Sequence, residues 1–228
     1  MVLVIGHRGA PRLARENTLE SFAAAIAAGA GAIELDVRRT ADDFLVVHHD
    51  ALLDDGRPIV SCRRDDLPAH IPALTDALDA CHGVVVDVEI KNTPGEPDFD
   101  PDERVAGAVV ELLGERPEPG DTWLISSFRR ETIERCRTAD PRLATGWLTF
   151  GAVTDADIAW VVEAGHAAVH PWDPTVDCQL IDRCHAAGLN VNTWTTNDVD
   201  RALELASWGI DGICTDVPDA IIDALGQR

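Results

Sequence analysis

The sequence contains only one lysine, Lys91, although it has 18 arginines among its 19 basic residues. An ammonium is a compact point charge on a flexible stem, and a guanidinium replaces it poorly. We therefore expect position 91 to need an ammonium in particular. Positive charge is scarce overall, because 40 acidic residues leave a net charge of −21. This balance argues against binding to nucleic acid and against tight docking on an anionic membrane, since both rely on clusters of Lys and Arg.

Long apolar runs and closely spaced cysteine pairs are also missing. No apolar stretch reaches the ~18 residues of a membrane-spanning helix, so stable membrane insertion is not expected. The six cysteines form no C-x-x-C pair, which argues against a zinc ribbon or a thioredoxin-like site. We expect reduced thiols in a cytoplasmic protein, because a first strand predicted from residue 2 leaves no room for a cleavable signal peptide.

Eight short apolar runs alternate with helix-like segments along the chain. Such runs, separated by helices, are typical of a parallel sheet buried on both faces. Eight strand–helix repeats predict an α/β fold of the (β/α)₈ (TIM) barrel type, with residues 1–228 as a single domain. The predicted strands are residues 2–6, 32–37, 84–90, 123–127, 143–148, 167–170, 190–194 and 212–215.

A ninth apolar run, residues 44–49, does not fit this alternation. It follows Asp36 after a short polar connector with no helix between them. We interpret it as a hairpin-like extension at the rim of the barrel. The alternative is that it is the third barrel strand and that one of the later strands is misassigned.

Acidic residues mark the ends of two predicted strands. Glu34 and Asp36 are spaced i, i+2, so their side chains point to the same face of one strand, and Glu89 ends another. Neighbouring carboxylates repel each other unless a cation lies between them. Three carboxylates without cysteine favour Mg²⁺ or Ca²⁺ over Zn²⁺. The simpler alternative is that each acid pairs with an arginine.

Histidines end two further apolar runs, and cationic residues stand close to these ends. His7 and His49 can together pass protons both ways near neutral pH. Strand alternation allows only one of His48 and His49 to face the site, and we favour His49, with Asp50 as a possible orienting group. Arg8 and Lys91 are suited to phosphate contact. In the same region, Glu16 is expected to brace Arg8, and Asn17 with Glu20 has the form of a helix-capping pair.

This combination resembles the glycerophosphodiester phosphodiesterase family, in the wider group of phospholipase-C-like barrel phosphodiesterases. The match runs in order over nearly the whole chain. The motifs that carry it are His7-Arg8-Gly9, Glu16-Asn17-Thr18, Glu34-Leu35-Asp36-Val37, Val47-His48-His49-Asp50, Val88-Glu89-Ile90-Lys91, Ile125-Ser126-Ser127-Phe128, Trp194-Thr195-Thr196-Asn197 and the run from Gly212 to Pro218.

The resemblance implies a distorted barrel and the hydrolysis of a glycerophosphodiester to glycerol 3-phosphate and an alcohol. It implies one divalent cation, Mg²⁺ or Ca²⁺, at the positions that match Glu34, Asp36 and Glu89. His7 and His49 match the acid/base pair. The resemblance also implies phosphate contacts from Arg8 and Lys91. Trp194 stands at a strand end, in a block that resembles the family.

The chain departs from the family pattern in a segment near residues 51–72, which is short and normally forms a cap beside the site. A trimmed cap leaves the choice of alcohol open. Trp194, and less strongly Trp172, is placed to hold a choline-type ammonium by a cation–π contact. The alternative function is a lysophospholipase-D-like or cyclising lipid phosphodiesterase, which needs an apolar entry that the sequence does not indicate. A third hypothesis is a catalytically silent barrel that binds a phosphorylated ligand. In the main hypothesis, Asn197 and Asp216 are expected to fix loops and not to contact substrate.

Overall fold

A computed structural model describes residues 1–116, 118–119 and 122–227. Within them the chain alternates strands and helices. The strands are β1 (Leu3–His7), β2 (Ala32–Arg39), β3 (Leu45–Val47), β4 (Val85–Ile90), β5 (Trp123–Ser127), β6 (Ala144–Thr149), β7 (Ala168–Pro171), β8 (Asn190–Thr193) and β9 (Gly212–Thr215). The helices are α1 (Leu19–Ala28), α2 (Leu74–Ala80), α3 (Arg104–Gly114), α4 (Arg130–Ala139), α5 (Asp155–Glu163), α6 (Cys178–Ala186), α7 (Val199–Ser207) and α8 (Pro218–Ala224).

Eight parallel strands close into a barrel, which confirms the predicted fold. The order around the barrel is β1, β9, β8, β7, β6, β5, β4 and β2, and the ring closes because β1 pairs with both β9 and β2. The carboxyl ends of all eight strands therefore meet at one rim, where barrel enzymes place their sites. Among the described helices, none is long and apolar enough to cross a membrane.

The remaining strand, β3, comes from the ninth apolar run of the sequence and lies outside the barrel. It pairs antiparallel with the extended end of β2, with Val47 opposite Val37 and Leu45 opposite Arg39. The run at residues 44–49 is thus a hairpin extension at the rim, as predicted, and not the third barrel strand. The segment that follows it contains two short 3₁₀ helices, Ile59–Ser61 and Arg64–Asp66, and a small apolar cluster of its own. That this segment is a shortened cap stays a prediction.

Because side chains alternate along each strand, one face of the barrel wall points outward and is apolar. Near the rim, the other face points into the barrel and is polar. On β2, Ile33, Leu35 and Val37 are buried in the apolar cluster between the sheet and the helices. Burying each such side chain contributes about 1.5–3 kcal/mol. The residues between them, Glu34 and Asp36, have the opposite orientation and point into the barrel. The same packing that holds the wall thus fixes the direction of both carboxylates.

The start of α1 differs from the prediction. Thr18 caps the helix, because its hydroxyl accepts a hydrogen bond from the backbone N–H of Ser21 at 3.2 Å. Asn17 stands one residue earlier with a positive φ of 55°. Its side-chain amide is 2.7 Å from Asp36 Oδ2 and donates a hydrogen bond to it. The capping role predicted for Asn17 was therefore wrong, and its amide supports the acidic cluster of the site.

Candidate active site

One cavity at the carboxyl end of the barrel gathers the predicted site residues. Asp36 lies buried beside this cavity and is joined to it by contacts with Arg8 and Lys91. Residues from both ends of the chain meet here because barrel closure places β1 between β2 and β9. The predicted residues that line the cavity directly are His7, Arg8, Glu34, His49, Glu89, Lys91 and Trp194.

The three predicted metal-binding carboxylates form one buried group. Oxygens of Glu34, Asp36 and Glu89 lie within 4.8 Å of one another. Burial, reinforced by repulsion from the other two acids, raises the pKa of Glu34 well above its usual value. Glu34 Oε1 is buried without a hydrogen-bond partner. This arrangement fits a hard divalent cation, which prefers oxygen ligands and relieves the repulsion among carboxylates.

The only lysine of the chain lies between two of these acids. Lys91 Nζ is 2.9 Å from Asp36 Oδ1 and 2.6 Å from Glu89 Oε1. Burial would raise the pKa of Asp36, but Lys91 and Arg8 outweigh it and hold that pKa well below the usual range. Although burial opposes it, attraction to Glu89 and Asp36 raises the pKa of Lys91. Asp36 and Lys91 are therefore both charged at neutral pH.

Arg8 is held in place from two directions by acidic groups. Its Nε is 3.2 Å from Asp36 Oδ2, and its NH1 donates to Glu16 Oε1 at 3.0 Å, as expected for a brace. Its backbone N–H donates to Glu34 Oε2 at 2.9 Å. Arg8 has a positive φ of 52°, and Gly9 follows with a φ of 90°. This turn aims both the backbone N–H and the side chain of Arg8 at the acidic group.

His7 is oriented by a residue that the sequence analysis assigned only to a loop. His7 Nδ1 is 2.7 Å from Asp216 Oδ1. Asp216 is in turn fixed by Asn197, whose side-chain amide donates to Asp216 Oδ2 at 2.7 Å and whose Oδ1 accepts from the Asp216 backbone at 2.8 Å. The loop role expected for Asn197 is thus present. The sequence feature that could have identified Asp216 as a site residue is its position directly after the last barrel strand.

His49 also has a carboxylate at Nδ1. Asp50 Oδ1 lies 2.6 Å from that nitrogen, as predicted for an orienting group. Burial and the positive charge of Lys91 lower the pKa of His49 below its ordinary value. The neighbouring His48 is 2.9 Å from the backbone carbonyl of Asp50 through Nδ1, in a hydrogen bond, and does not line the cavity. Of the two adjacent histidines, the structure brings His49 to the site.

The opposite wall of the cavity is aromatic, and of its residues only Trp194 and, less strongly, Trp172 were predicted from the sequence. The ring of Phe150 lies 4.8 Å from that of Phe128 and 4.9 Å from that of Trp194. Trp172 touches the edge of this group, 6.4 Å from Phe150. Phe150 is 62% exposed and Trp172 41% exposed. The rim therefore has the exposed aromatic surface that the sequence did not indicate, because these side chains come from separate strand ends.

Comparisons with known proteins agree with this geometry. A sequence profile of the Glycerophosphoryl diester phosphodiesterase family matches residues 7–59 and 57–220. The chain is 28% identical to a glycerophosphodiester phosphodiesterase of Caldanaerobacter subterraneus subsp. tengcongensis, over 97% of this chain and 96% of the relative. It is 26% identical to a glycerophosphodiester phosphodiesterase of Bacillus subtilis, over 96% of this chain and 84% of that one.

Solved structures give the same result. A phosphodiesterase of Oleispira antarctica in complex with the product sn-glycerol-3-phosphate has a TM-score of 0.88 and 27% identity, covering 98% of this chain and 96% of that one. A glycerophosphodiester phosphodiesterase of Thermotoga maritima shares the fold, with a TM-score of 0.84 over 98% of both chains. The barrel and the sequence match over most of the chain place it in one family of enzymes. The chain belongs to the glycerophosphoryl diester phosphodiesterase family.

Proposed function

We propose that this phosphodiesterase cleaves a glycerophosphodiester to glycerol 3-phosphate and an alcohol, with His7 and His49 as an acid/base pair beside a bound cation. The observation that carries this proposal is that both imidazoles line one cavity with Glu34 and Glu89, which form a buried group of three carboxylates with the adjacent Asp36. The product bound to the Oleispira antarctica relative supports the same substrate class.

Glu34, Asp36 and Glu89 are the residues that would hold one divalent cation, Mg²⁺ or Ca²⁺. Such a cation neutralises charge on the phosphoryl oxygens. Arg8 and Lys91 supply two further positive charges at the same end of the cavity. These charges attract a phosphodiester anion against a net molecular charge of −21.

Hydrogen bonding assigns the proton positions on the two imidazoles. In each ring, Nδ1 faces a carboxylate, so the proton of a neutral ring sits at Nδ1 and Nε2 remains for substrate. His49, whose pKa is lowered, is the neutral base that takes the proton from a glycerol hydroxyl as that oxygen bonds to phosphorus. His7, oriented through Nδ1 by Asp216, is the general acid that gives a proton from Nε2 to the departing alcohol oxygen as the P–O bond breaks. This first step would leave a cyclic phosphate on the glycerol, and the two histidines exchange roles when water opens it to glycerol 3-phosphate.

The experiment that tests this function follows release of glycerol 3-phosphate from glycerophosphocholine, glycerophosphoethanolamine and glycerophosphoglycerol. Each substrate is assayed with EDTA and then with Mg²⁺ or Ca²⁺ restored. We expect activity only with a metal, and a loss of about 10²–10⁴-fold in His7→Ala and His49→Ala. His82→Ala is the matched control, because His82 is exposed before β4, at the opposite end of the barrel. Activity that is independent of metal, or equal in all three variants, would contradict the proposal.

The aromatic wall favours a choline-type alcohol. A quaternary ammonium over the ring of Trp194 gains about 0.5–2 kcal/mol from the cation–π contact. We therefore propose that Trp194→Ala lowers kcat/KM for glycerophosphocholine more than for glycerophosphoglycerol, whose alcohol is uncharged. An equal loss for both substrates would assign Trp194 to packing alone.

A second candidate function rests on the exposed part of the same wall. Phe150 and Trp172 provide the apolar entry that a lysophospholipase-D-like enzyme needs for an acyl chain. Choline release from lysophosphatidylcholine tests this candidate directly. If it is the main activity, Phe150→Ala reduces it strongly and leaves glycerophosphocholine hydrolysis largely intact. Absence of choline release by an enzyme that is active on glycerophosphocholine would exclude this candidate.

A further inference from the structure

The interior of the barrel at the active-site cavity contains a buried polar group that the proposed reaction does not use. It is formed by Asp87 on β4, Ser126 on β5, His170 on β7 and Asn192 on β8, which all line the cavity. All four are buried. The interior of such a barrel is usually filled with branched apolar side chains. Four buried polar side chains are therefore unexpected there, and we call these four residues the polar floor.

The polar floor is built by the strands around it. His170 Nδ1 lies 3.4 Å from Asp87 Oδ2, and Asn192 Nδ2 lies 3.1 Å from His170 Nε2. Two glycines make room for these side chains. A Cβ at Gly146 would lie 2.5 Å from His170 Nε2, and one at Gly212 would lie 2.4 Å from Asn192 Oδ1. Any other residue at these positions would displace the floor.

Two atoms of the floor lack hydrogen-bond partners. Asp87 Oδ1 and Ser126 Oγ are both buried and have no partner within hydrogen-bond geometry. Burial raises the pKa of Asp87 to about 7, and the nearby Ser126 hydroxyl acts in the opposite direction without closing a hydrogen bond. A buried polar atom left unpaired costs about 1–3 kcal/mol. Both residues face the same cavity that holds the catalytic groups. A bound group that donates to the Asp87 oxygen and also pairs with the Ser126 hydroxyl would satisfy both atoms.

The chemistry of these two atoms selects a hydroxyl. A phosphodiester oxygen is disfavoured because it only accepts hydrogen bonds, so it could pair with the Ser126 hydroxyl but would give no donor to the Asp87 oxygen. A quaternary ammonium has no hydrogen-bond donor and fits the aromatic wall instead. A hydroxyl donates one hydrogen bond and accepts another, as the two unpaired atoms require.

We propose that the polar floor binds the terminal hydroxyl of the substrate's glycerol moiety, which rests on the proposed glycerophosphodiesterase function. The glycerol half of the diester then lies deep in the barrel, and the alcohol half lies toward the aromatic wall. The floor thus selects glycerol esters over esters of diols that lack the terminal hydroxyl. Asp87 and Ser126 are the specificity-determining residues.

The test compares two ligands that differ only in the terminal hydroxyl. Calorimetry measures binding of glycerol 3-phosphate and of propane-1,2-diol 1-phosphate to the metal-loaded enzyme, so the result does not depend on turnover. The matching choline diesters are assayed for kcat/KM, and both keep the 2-hydroxyl that attacks phosphorus. We expect the wild type to prefer the ligand with the terminal hydroxyl by about tenfold or more, which is about 1.4 kcal/mol. Ser126→Ala and Asp87→Asn should reduce this preference to about threefold or less.

Two controls keep the outcome clear. Ser127→Ala changes the neighbouring serine, whose hydroxyl donates to the carbonyl of Ile90 instead of facing the cavity, and it should retain the wild-type preference. Ser126→Ala removes an unpaired hydroxyl, so its melting temperature should not fall. A wild type that binds both ligands equally, or variants that keep the full preference, would overturn the proposal and assign the floor to ordered water. Failure of the proposed function would differ, because neither choline diester would then be cleaved.

Discussion

At the scale of single residues, His7 depends on a partner from the far end of the chain. Asp216 follows β9, and its carboxylate accepts a hydrogen bond from the Nδ1–H of His7, which leaves Nε2 for the substrate. Although burial would raise the pKa of Asp216, the hydrogen bond and charge of His7 lower it, so Asp216 is an anion at neutral pH. An anion at this place fixes the orientation of the ring and the proton at Nδ1.

We predict that Asp216→Asn lowers kcat by about 10–100-fold and changes KM little, because substrate contacts remain while His7 loses the carboxylate that orients its ring. Steady-state kinetics on glycerophosphocholine measures both parameters. Asp211→Asn is the control, since Asp211 holds another histidine, His185, at 2.8 Å on the surface. A kcat equal to that of the control would assign Asp216 to the loop alone.

A second prediction concerns His166, which is buried outside the site. Its Nδ1 is 2.7 Å from the Thr145 hydroxyl, and its Nε2 has no partner. Burial lowers the pKa of His166 to about 4, whereas an unfolded chain has an ordinary histidine pKa of ~6.5. The unfolded state therefore binds the proton first, and stability from this group falls as pH drops from ~6.5 toward 4. The loss approaches roughly 3 kcal/mol at the lower limit.

Urea unfolding at pH 7, 5.5 and 4.5 checks this prediction in the wild type and in His166→Gln. The variant lacks the titrating group, so its free energy of unfolding should fall less with decreasing pH. Other buried histidines, such as His170, contribute equally to both proteins, and the difference between them isolates His166. Parallel curves would show that His166 does not titrate in this range.

At the scale of elements, the turn between β1 and α1 carries Arg8 into the site. Ser21 on α1 ties this turn down, because its hydroxyl donates to the Arg8 carbonyl at 2.9 Å and accepts from the Ala10 N–H at 2.8 Å. Gly9 stands between them with a φ of 90°. A Cβ there would lie 2.4 Å from Ser21 Oγ. Only glycine gives both the backbone conformation and the space.

We predict that Gly9→Ala destabilises the protein by about 2–4 kcal/mol and reduces activity, because the turn must shift away from α1 and take Arg8 with it. Gly56→Ala is a matched control: Gly56 has a similar φ of 84°, and a Cβ there meets nothing within 4 Å. It should cost about 1 kcal/mol and leave activity unchanged. Denaturant unfolding and kcat/KM measure both variants, and equal losses in the two would refute the steric argument.

The strands and their inward residues could be predicted from the sequence because alternation is local. The i, i+2 spacing of Glu34 and Asp36 is enough to predict that they share one face of a strand. The polar connector before β3 was enough to predict a hairpin. Asn17 was misread because a helix cap and a contact to a distant strand look alike in the sequence. The local pattern predicted helix α1 correctly, but it did not reveal that Asn17, just before the helix, contacts Asp36 on a distant strand.

At the scale of the whole molecule, barrel closure makes the contacts that no local pattern reveals. His7 and Asp216 are separated by 209 positions and meet because β9 pairs with β1. The aromatic wall likewise combines Phe128, Phe150 and Trp194 from the ends of separate strands. Position after a strand marks each residue as a rim residue, but spacing along the chain does not show which of them meet. Their assembly needs the strand order of the closed barrel, which the sequence indicated only as a fold type.

Charge is also a property of the whole molecule. The 40 acidic residues outnumber the 19 basic ones. Even when every basic residue pairs with one acid, the remaining acids repel one another. This repulsion destabilises the compact state, and salt screens it. We predict that raising NaCl from 0.05 to 0.5 M in EDTA increases the melting temperature, by about 2–4 °C for each kcal/mol gained. Glu34→Gln, which alters the cation site but barely the net charge, should show the same salt response. A melting temperature that falls with salt would mean that the arginine–carboxylate pairs outweigh the net repulsion.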